Sequence, residues 1–103
     1  MSTAKGYWVA RVDVDDTAAY DRYRALNVKA FAKYGGRFIV RGPAGEVIKG
    51  TPRQHNVVVE FSSYAQAVAC VRSPEYLAAI EELNHVGTVD LVIVGGYDGL
   101  QPA

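Results

Sequence analysis

The sequence predicts an α+β fold. Four short runs rich in β-forming residues are separated by two stretches with helical spacing, in the order β-α-β-β-α-β. Glycine and proline punctuate the turns, and a length of 103 residues suits one domain, spanning 1–103 with an ordered core of about 5–99. Two split βαβ units with right-handed crossovers give a four-stranded antiparallel sheet with both helices on one face. That is the ferredoxin-like architecture, and it leaves the other sheet face with no cover from its own chain.

The first strand is read over residues 6–14, where Trp8, Ala10, Val12 and Val14 form an apolar parity and Tyr7, Val9, Arg11 and Asp13 a mixed one. Asp15 and Asp16 supply an N-cap for a helix over 17–34, with Tyr20, Tyr23, Ala30, Phe31 and Tyr34 at helical spacing. Gly35 is the expected left-handed terminator, and the second strand follows at 37–41. Residues 42–56 read as a long hairpin connection with a small edge strand around Glu46-Val47-Ile48-Lys49. Val57 to Phe61 form the third strand, and Ser62 or Ser63 caps a helix through about Arg72. Ser73-Pro74-Glu75 restarts a helix with proline at its favoured first position, and Val89 to Val94 form the last strand. Leu91 and Ile93 are as apolar as Val92 and Val94, so the facing of that strand stays open.

Composition narrows the function. Eleven basic and eleven acidic residues cancel, leaving no field to gather nucleic acid or an anionic membrane. No apolar run is long enough to span a bilayer, and Met1 to Lys5 show no secretory leader. A single cysteine suits a reducing compartment, so the expected location is cytoplasmic. An apolar fraction of 50% is generous for so short a chain and points to a subunit interface.

The mixed strand faces sharpen that point. They read Tyr7-Val9-Arg11-Asp13, Arg37-Ile39-Arg41 and Asn56-Val58-Glu60, each aliphatic in the middle and polar towards its ends. A solvated face has no use for aligned Val9, Ile39 and Val58, and a fully buried one does not tolerate unpaired charge. A sheet-to-sheet homodimer meets both conditions, with those three residues at its interface.

These blocks also resemble a known family. Lys5 to Val12 followed by Tyr20-Asp21-Arg22-Tyr23, Gly35-Gly36-Arg37-Phe38-Ile39-Val40-Arg41-Gly42, Val59 to Tyr64, Ser73-Pro74-Glu75-Tyr76 and Asp90 to Val94 are similar to domain-of-unknown-function family 1330. The resemblance runs from about Lys5 to Gly99 and implies a dimeric α/β barrel, in which two ferredoxin-like subunits pack sheet against sheet. It implies no activity. Relatives often end the last strand with Glu-Gly and carry an arginine before it; this chain has Gly95-Gly96, and Leu83-Asn84-His85-Val86 lacks the arginine.

Candidate chemistry centres on the uncovered face. Arg37 and Arg41, two positions apart on one strand face, would together reach one carboxylate, with Tyr7 and Arg11 beside them as further ligand contacts. The competing reading pairs these arginines with Glu60 or Asp13. Glu60, mid-strand, and His55, beside the third strand, are the candidates for moving a proton. Neither histidine has metal-ligating company and neither glycine pair sits in a phosphate-cradling pattern, so no metal and no nucleotide cofactor is expected. Cys70 reads as a small buried hydrophobe. RNA binding needs two or three aromatics on the bare sheet, and Tyr7 alone is on offer. The expected role is binding or transforming a small organic acid or carbonyl compound; the alternative is a dimeric accessory module without turnover.

Overall fold

The structure is a computed structural model that describes residues 4–103; the leader reading falls largely on residues 1–3, outside the described residues. The elements are β1 (Gly6–Val14), α1 (Thr17–Lys33), β2 (Arg37–Gly42), β3 (His55–Phe61), α2 (Tyr64–Val71), α3 (Pro74–Leu83) and β4 (Gly87–Gly95). The strands form one antiparallel sheet in the order β2-β3-β1-β4, the ferredoxin-like arrangement. The expected edge strand in the β2–β3 connection is absent, because its Gly- and Pro-punctuated residues find no neighbouring strand to pair with.

Each helix begins where a side chain meets its first free amide. Asp16 accepts from Ala19 N, Ser63 from Gln66 N and Ser73 from Tyr76 N, and Pro74 occupies the first turn of α3. Gly35, with φ of 74°, ends α1 in the left-handed region as its sequence position implied. Gly6 serves a different need: a Cβ there would stand 2.3 Å from the Ser63 carbonyl oxygen, so β1 and the α2 cap approach only because the side chain is missing.

The core lies between the sheet and the helices. Trp8, Ala10 and Val12 of β1, Val59 and Phe61 of β3, and Tyr23, Ala30 and Phe31 of α1 are buried together with Tyr76 and Ala79 of α3. Cross-strand register resolves the facing of β4: Leu91 and Ile93 oppose Ala10 and Trp8 on the helix side, and Val92 and Val94 oppose Val9 and Tyr7 on the bare side. α1 and α3 run antiparallel, clasped by Arg22–Glu82 at one end (2.9 Å) and Lys33–Glu75 at the other. The result is a two-layer slab with principal extents of 44 × 36 × 15 Å.

Candidate functional site

The bare face has an apolar middle and two polar ends. Val9 opposes both Val58 and Val92, and Val40 opposes Val58 from the other side, which makes a continuous aliphatic strip across all four strands. At one end Glu60 faces both Tyr7 and Arg37. The Tyr7 hydroxyl donates to Glu60 Oε2 at 3.2 Å, and Arg37 Nε stands 3.5 Å from Oε1. Burial and the Glu60 carboxylate together raise the Tyr7 pKa above its ordinary value. At the other end the β2–β3 loop returns over the sheet. Arg53 donates to Asp13 (3.0 Å) and Asp90 (3.2 Å), Gln54 N donates to Asp13 Oδ1 (2.8 Å), and Arg11 donates to the Thr51 carbonyl (2.6 Å). The Gln54 amide, followed by Arg53, holds the Asp13 carboxyl below the usual carboxylate range.

Two expectations about this face need correction. The pairing register of β2 shifts between Phe38 and Val40, an irregularity that turns the rest of the strand over. Arg37 therefore points to the bare face opposite Glu60, whereas Arg41 opposes Val57 on the helix side and lies over the Phe38 ring, 4.5 Å from its centroid. The two arginines do not share a carboxylate. The same shift gives Val40, not Ile39, the place beside Val58. The proton-transfer candidates are also apart. Residues 55 and 60 differ by an odd number, so Glu60 lies on the bare face and His55, opposite Val12, on the helix side. His55 instead packs against the Tyr20 ring, with centroids 4.9 Å apart.

Arg41 helps to line a pocket that the sequence reading missed. Tyr20, Tyr23, Arg24 and Asn27 share one face of α1, at positions i, i+3, i+4 and i+7. They look onto Trp8, Ala10, Val12 and Val57 of the sheet, with Phe38 and Arg41 closing the β2 edge. The cleft spans about 350 Å³ with its open mouth included, and between its walls it has room for about one water. Arg24 and Arg41 are exposed at the rim; the Arg24 guanidinium lies 5.4 Å from the Tyr20 centroid. Burial raises the Tyr20 pKa, and the two arginines oppose that rise.

Beneath the rim runs a buried polar chain. Trp8 Nε1 donates to the Tyr76 hydroxyl at 3.2 Å, and the Tyr76 and Tyr23 hydroxyls share a hydrogen bond at 2.8 Å. Burial pushes Tyr76 up to about 12, and burial with the neighbouring Tyr76 takes Tyr23 higher still. Asn27, 5% exposed, lies beside Tyr23, where its side chain works against the rise in the Tyr23 pKa, and keeps its own Oδ1 buried without a hydrogen-bond partner among the described residues. The signal for it was present in the sequence: one carboxamide at a helix position whose neighbours one turn away are Tyr23 and Phe31. Cys70, fully buried and pushed up to about 11 by burial, takes no part. Among the described residues, no three His, Cys, Asp or Glu side chains gather where they would hold a metal ion.

Residues 5–97 match the family described as Domain of unknown function (DUF1330). The chain belongs to that family. Among solved structures, this DUF1330 chain is similar to a protein of unknown function from Rhodopseudomonas palustris, at 19% identity over 98% of this chain and 86% of that one, with a TM-score of 0.73. It is also similar to SnoaB, a cofactor-independent oxygenase from Streptomyces nogalater, at 16% identity over 96% and 99% of the two chains, with a TM-score of 0.65. A third neighbour is a dimeric ferredoxin-like protein of unknown function from Jannaschia sp. CCS1, at 14% identity over 87% and 97%, with a TM-score of 0.61. Identities this low establish the fold of the DUF1330 chain and nothing finer. No curated protein matches the sequence.

Proposed function

We propose that the protein is a homodimer, packed sheet against sheet, whose subunits each bind a small organic acid or carbonyl compound in the pocket beneath α1. The aliphatic strip of Val9, Val40, Val58 and Val92 supports the dimer, since it crosses all four strands with polar groups only at its ends. The Jannaschia neighbour is described as dimeric.

The observation that carries the ligand reading is the pocket's combination of flat aromatic walls with Arg24 and Arg41 at the rim. Among the described residues neither guanidinium pairs with a carboxylate, while Arg37 and Arg53 do. Arginine left free beside an aromatic cleft suits a planar oxyanion. SnoaB's description as a cofactor-independent oxygenase is consistent with a small-molecule role that draws on no cofactor. Tyr7, Arg11 and Arg37 take no ligand role, being engaged by Glu60 and Thr51. The lone buried Cys70 supports a reducing, cytoplasmic setting. No helix among the described residues is long and apolar enough to cross a membrane. A dimeric module without a ligand would account for the bare face and leave the pocket unexplained.

Thermal-shift titration with benzoate and a panel of small aliphatic and aromatic acids tests this reading, because a ligand that binds only the folded state raises the melting temperature. Wild type and Arg37→Ala are expected to respond alike, and Arg41→Ala to bind at least about tenfold more weakly, the scale of one lost charge-assisted hydrogen bond. Loss of response in Arg37→Ala with Arg41→Ala unaffected would move the site to the bare face. Silence of the wild type towards every acid would end the ligand reading.

A further inference from the structure

Resting on the ligand reading just given, we infer that the pocket selects an aromatic acid that also carries a hydroxyl, with Asn27 reading that hydroxyl at the base of the cleft while Arg24 and Arg41 hold the acid at its mouth. Three features define this ligand. The first is polarity along the cleft. Both arginines are exposed at the rim, whereas Asn27 is 5% exposed, so the anion-binding groups lie outside and the lone polar acceptor lies inside.

The second is the direction of the hydrogen bond. The Asn27 amide is already turned towards Tyr23, whose hydroxyl is fixed by Tyr76, which in turn takes the Trp8 indole N–H. Asn27 Oδ1, an acceptor, is left buried with no partner among the described residues. A buried acceptor persists unpaired only where something outside the protein's own groups completes it. A hydroxyl does so; a ketone, an ester or a second carboxylate would set oxygen against oxygen.

The third is shape. Trp8, Tyr20 and Phe38 give the cleft flat apolar sides, and Phe38 with Arg41 lying over it belongs to the edge strand. Both are exposed, so that wall can swing outward while the sheet stays in place. The cleft as it stands has room for about one water and Asn27 Oδ1 is sealed from solvent, so the hydroxyl reaches that oxygen once the wall has opened.

Isothermal titration of benzoate, 3-hydroxybenzoate and 4-hydroxybenzoate against wild type, Asn27→Leu, Asn27→Ala and Arg41→Ala separates this inference from the reading beneath it. Wild type is expected to bind one hydroxybenzoate at least tenfold more tightly than benzoate, as a site built around a hydroxyl discriminates against ligands that lack one. Asn27→Leu and Asn27→Ala should abolish that preference by bringing hydroxybenzoate affinity down to that of benzoate in the same variant, and Arg41→Ala should weaken all three acids by the same factor. Benzoate binding with no hydroxyl preference in wild type, or a preference that survives both Asn27 variants, overturns the selection and leaves the acid site standing; such a result assigns the Asn27 oxygen to a trapped water. Failure of all three acids to bind an intact wild-type dimer overturns both. Asn27→Leu removes the unpaired buried acceptor together with the amide facing Tyr23, so the ligand-free melting temperature of each variant is measured alongside, and Asn27→Ala reports on selectivity even if leucine overfills the site.

Discussion

On the bare face Glu60 engages both Tyr7 and Arg37, and Arg53 spans Asp13 and Asp90. Beneath α1, Asn27 keeps a buried oxygen unmatched, and Arg24 and Arg41 form no ion pair among the described residues. The two sides of one sheet thus differ in their charges: Glu60, Asp13 and Asp90 on the bare face each have a cationic partner, although Arg53 Nε there is itself buried without a hydrogen-bond partner among the described residues. Where polar groups are matched within the chain and the ground between them is aliphatic, a second copy can cover the surface without stranding a charge. Where an acceptor and two cations are left over around aromatic walls, the proposed small molecule of complementary polarity would complete them. On the reading proposed above, paired charge marks the interface and unpaired cations mark the site.

The harshest way to break that contrast is to put a charge in the middle of the aliphatic strip. Val58 lies between Val9 and Val40 at the centre of the sheet. In a two-fold dimer Val58→Asp places two carboxylates in an apolar interface, which costs roughly 3 kcal/mol or more. Sedimentation should show the dimer constant weakened at least a hundredfold, with benzoate binding by the separated subunit retained. A dimer that tolerates Val58→Asp would show that the strip is not the contact. Val92→Asp, nearer the β4 edge and 52% exposed, should behave in the same direction with a smaller effect.

Much of this contrast was legible before the structure. The β1 parity placed Val9 and Tyr7 on the bare side, as the register against β3 and β4 shows. Cap residues did the same for the helices, because Asp16, Ser63, Ser73 and Gly35 act through their immediate neighbours. The facing of β4 was not readable, since both of its sides are apolar and only the register against β1 distinguishes them. The shift in β2 was hidden for a related reason: Phe38, Ile39 and Val40 are all apolar, so no alternation betrays where the pairing slips. That single shift carried Arg41 from one side of the sheet to the other. The separation of His55 from Glu60, by contrast, follows from counting along β3. Asn27 went unremarked because the eye follows the apolar members of a helix face, and the one polar member is the informative residue.

A milder test addresses the buried chain beneath α1. Both tyrosines are held neutral by burial, Tyr76 up to about 12 and Tyr23 beyond it, against about 10 in an unfolded chain. Above pH 10 the unfolded state releases protons that the folded state retains, so stability falls as pH rises from 10 towards 12. At two pKa units for Tyr76 alone, the fall approaches about 3 kcal/mol. Cys70, at about 11, adds to the lower part of the decline. Tyr23→Phe should remove its share of the alkaline slope and cost about 1 kcal/mol near neutrality for the lost bond to Tyr76. Denaturant melts from pH 7 to 12 measure both. A slope unchanged in Tyr23→Phe would mean that the hydroxyl is not held as described.

The smallest expected effect lies at the polar end of the bare face, and it tests whether the matching there is real. Asp13 is held below the ordinary carboxylate range first by the Gln54 amide and then by Arg53. A depressed folded pKa adds stability above the unfolded value of about 3.9, and that stability is lost as pH falls through the folded value. Asp13→Asn should therefore be slightly less stable than wild type at pH 7 and converge with it as the solution is acidified below pH 4. Arg53→Met removes only the second-ranked contribution, so it should lower the neutral stability less and leave part of the acid dependence in place through Gln54. The loop matters as much as the charge: Gln54 also accepts from Val14 N at 2.9 Å, and Arg11 donates to Thr51, so residues 51–54 stay laid over the strand ends in either variant. If Asp13→Asn instead tracked wild type at every pH, the carboxylate would be solvated rather than matched, and the face would carry unpaired charge into its own interface. The sedimentation result for Val58→Asp would then have to be read without the premise that the rim is satisfied from within the chain.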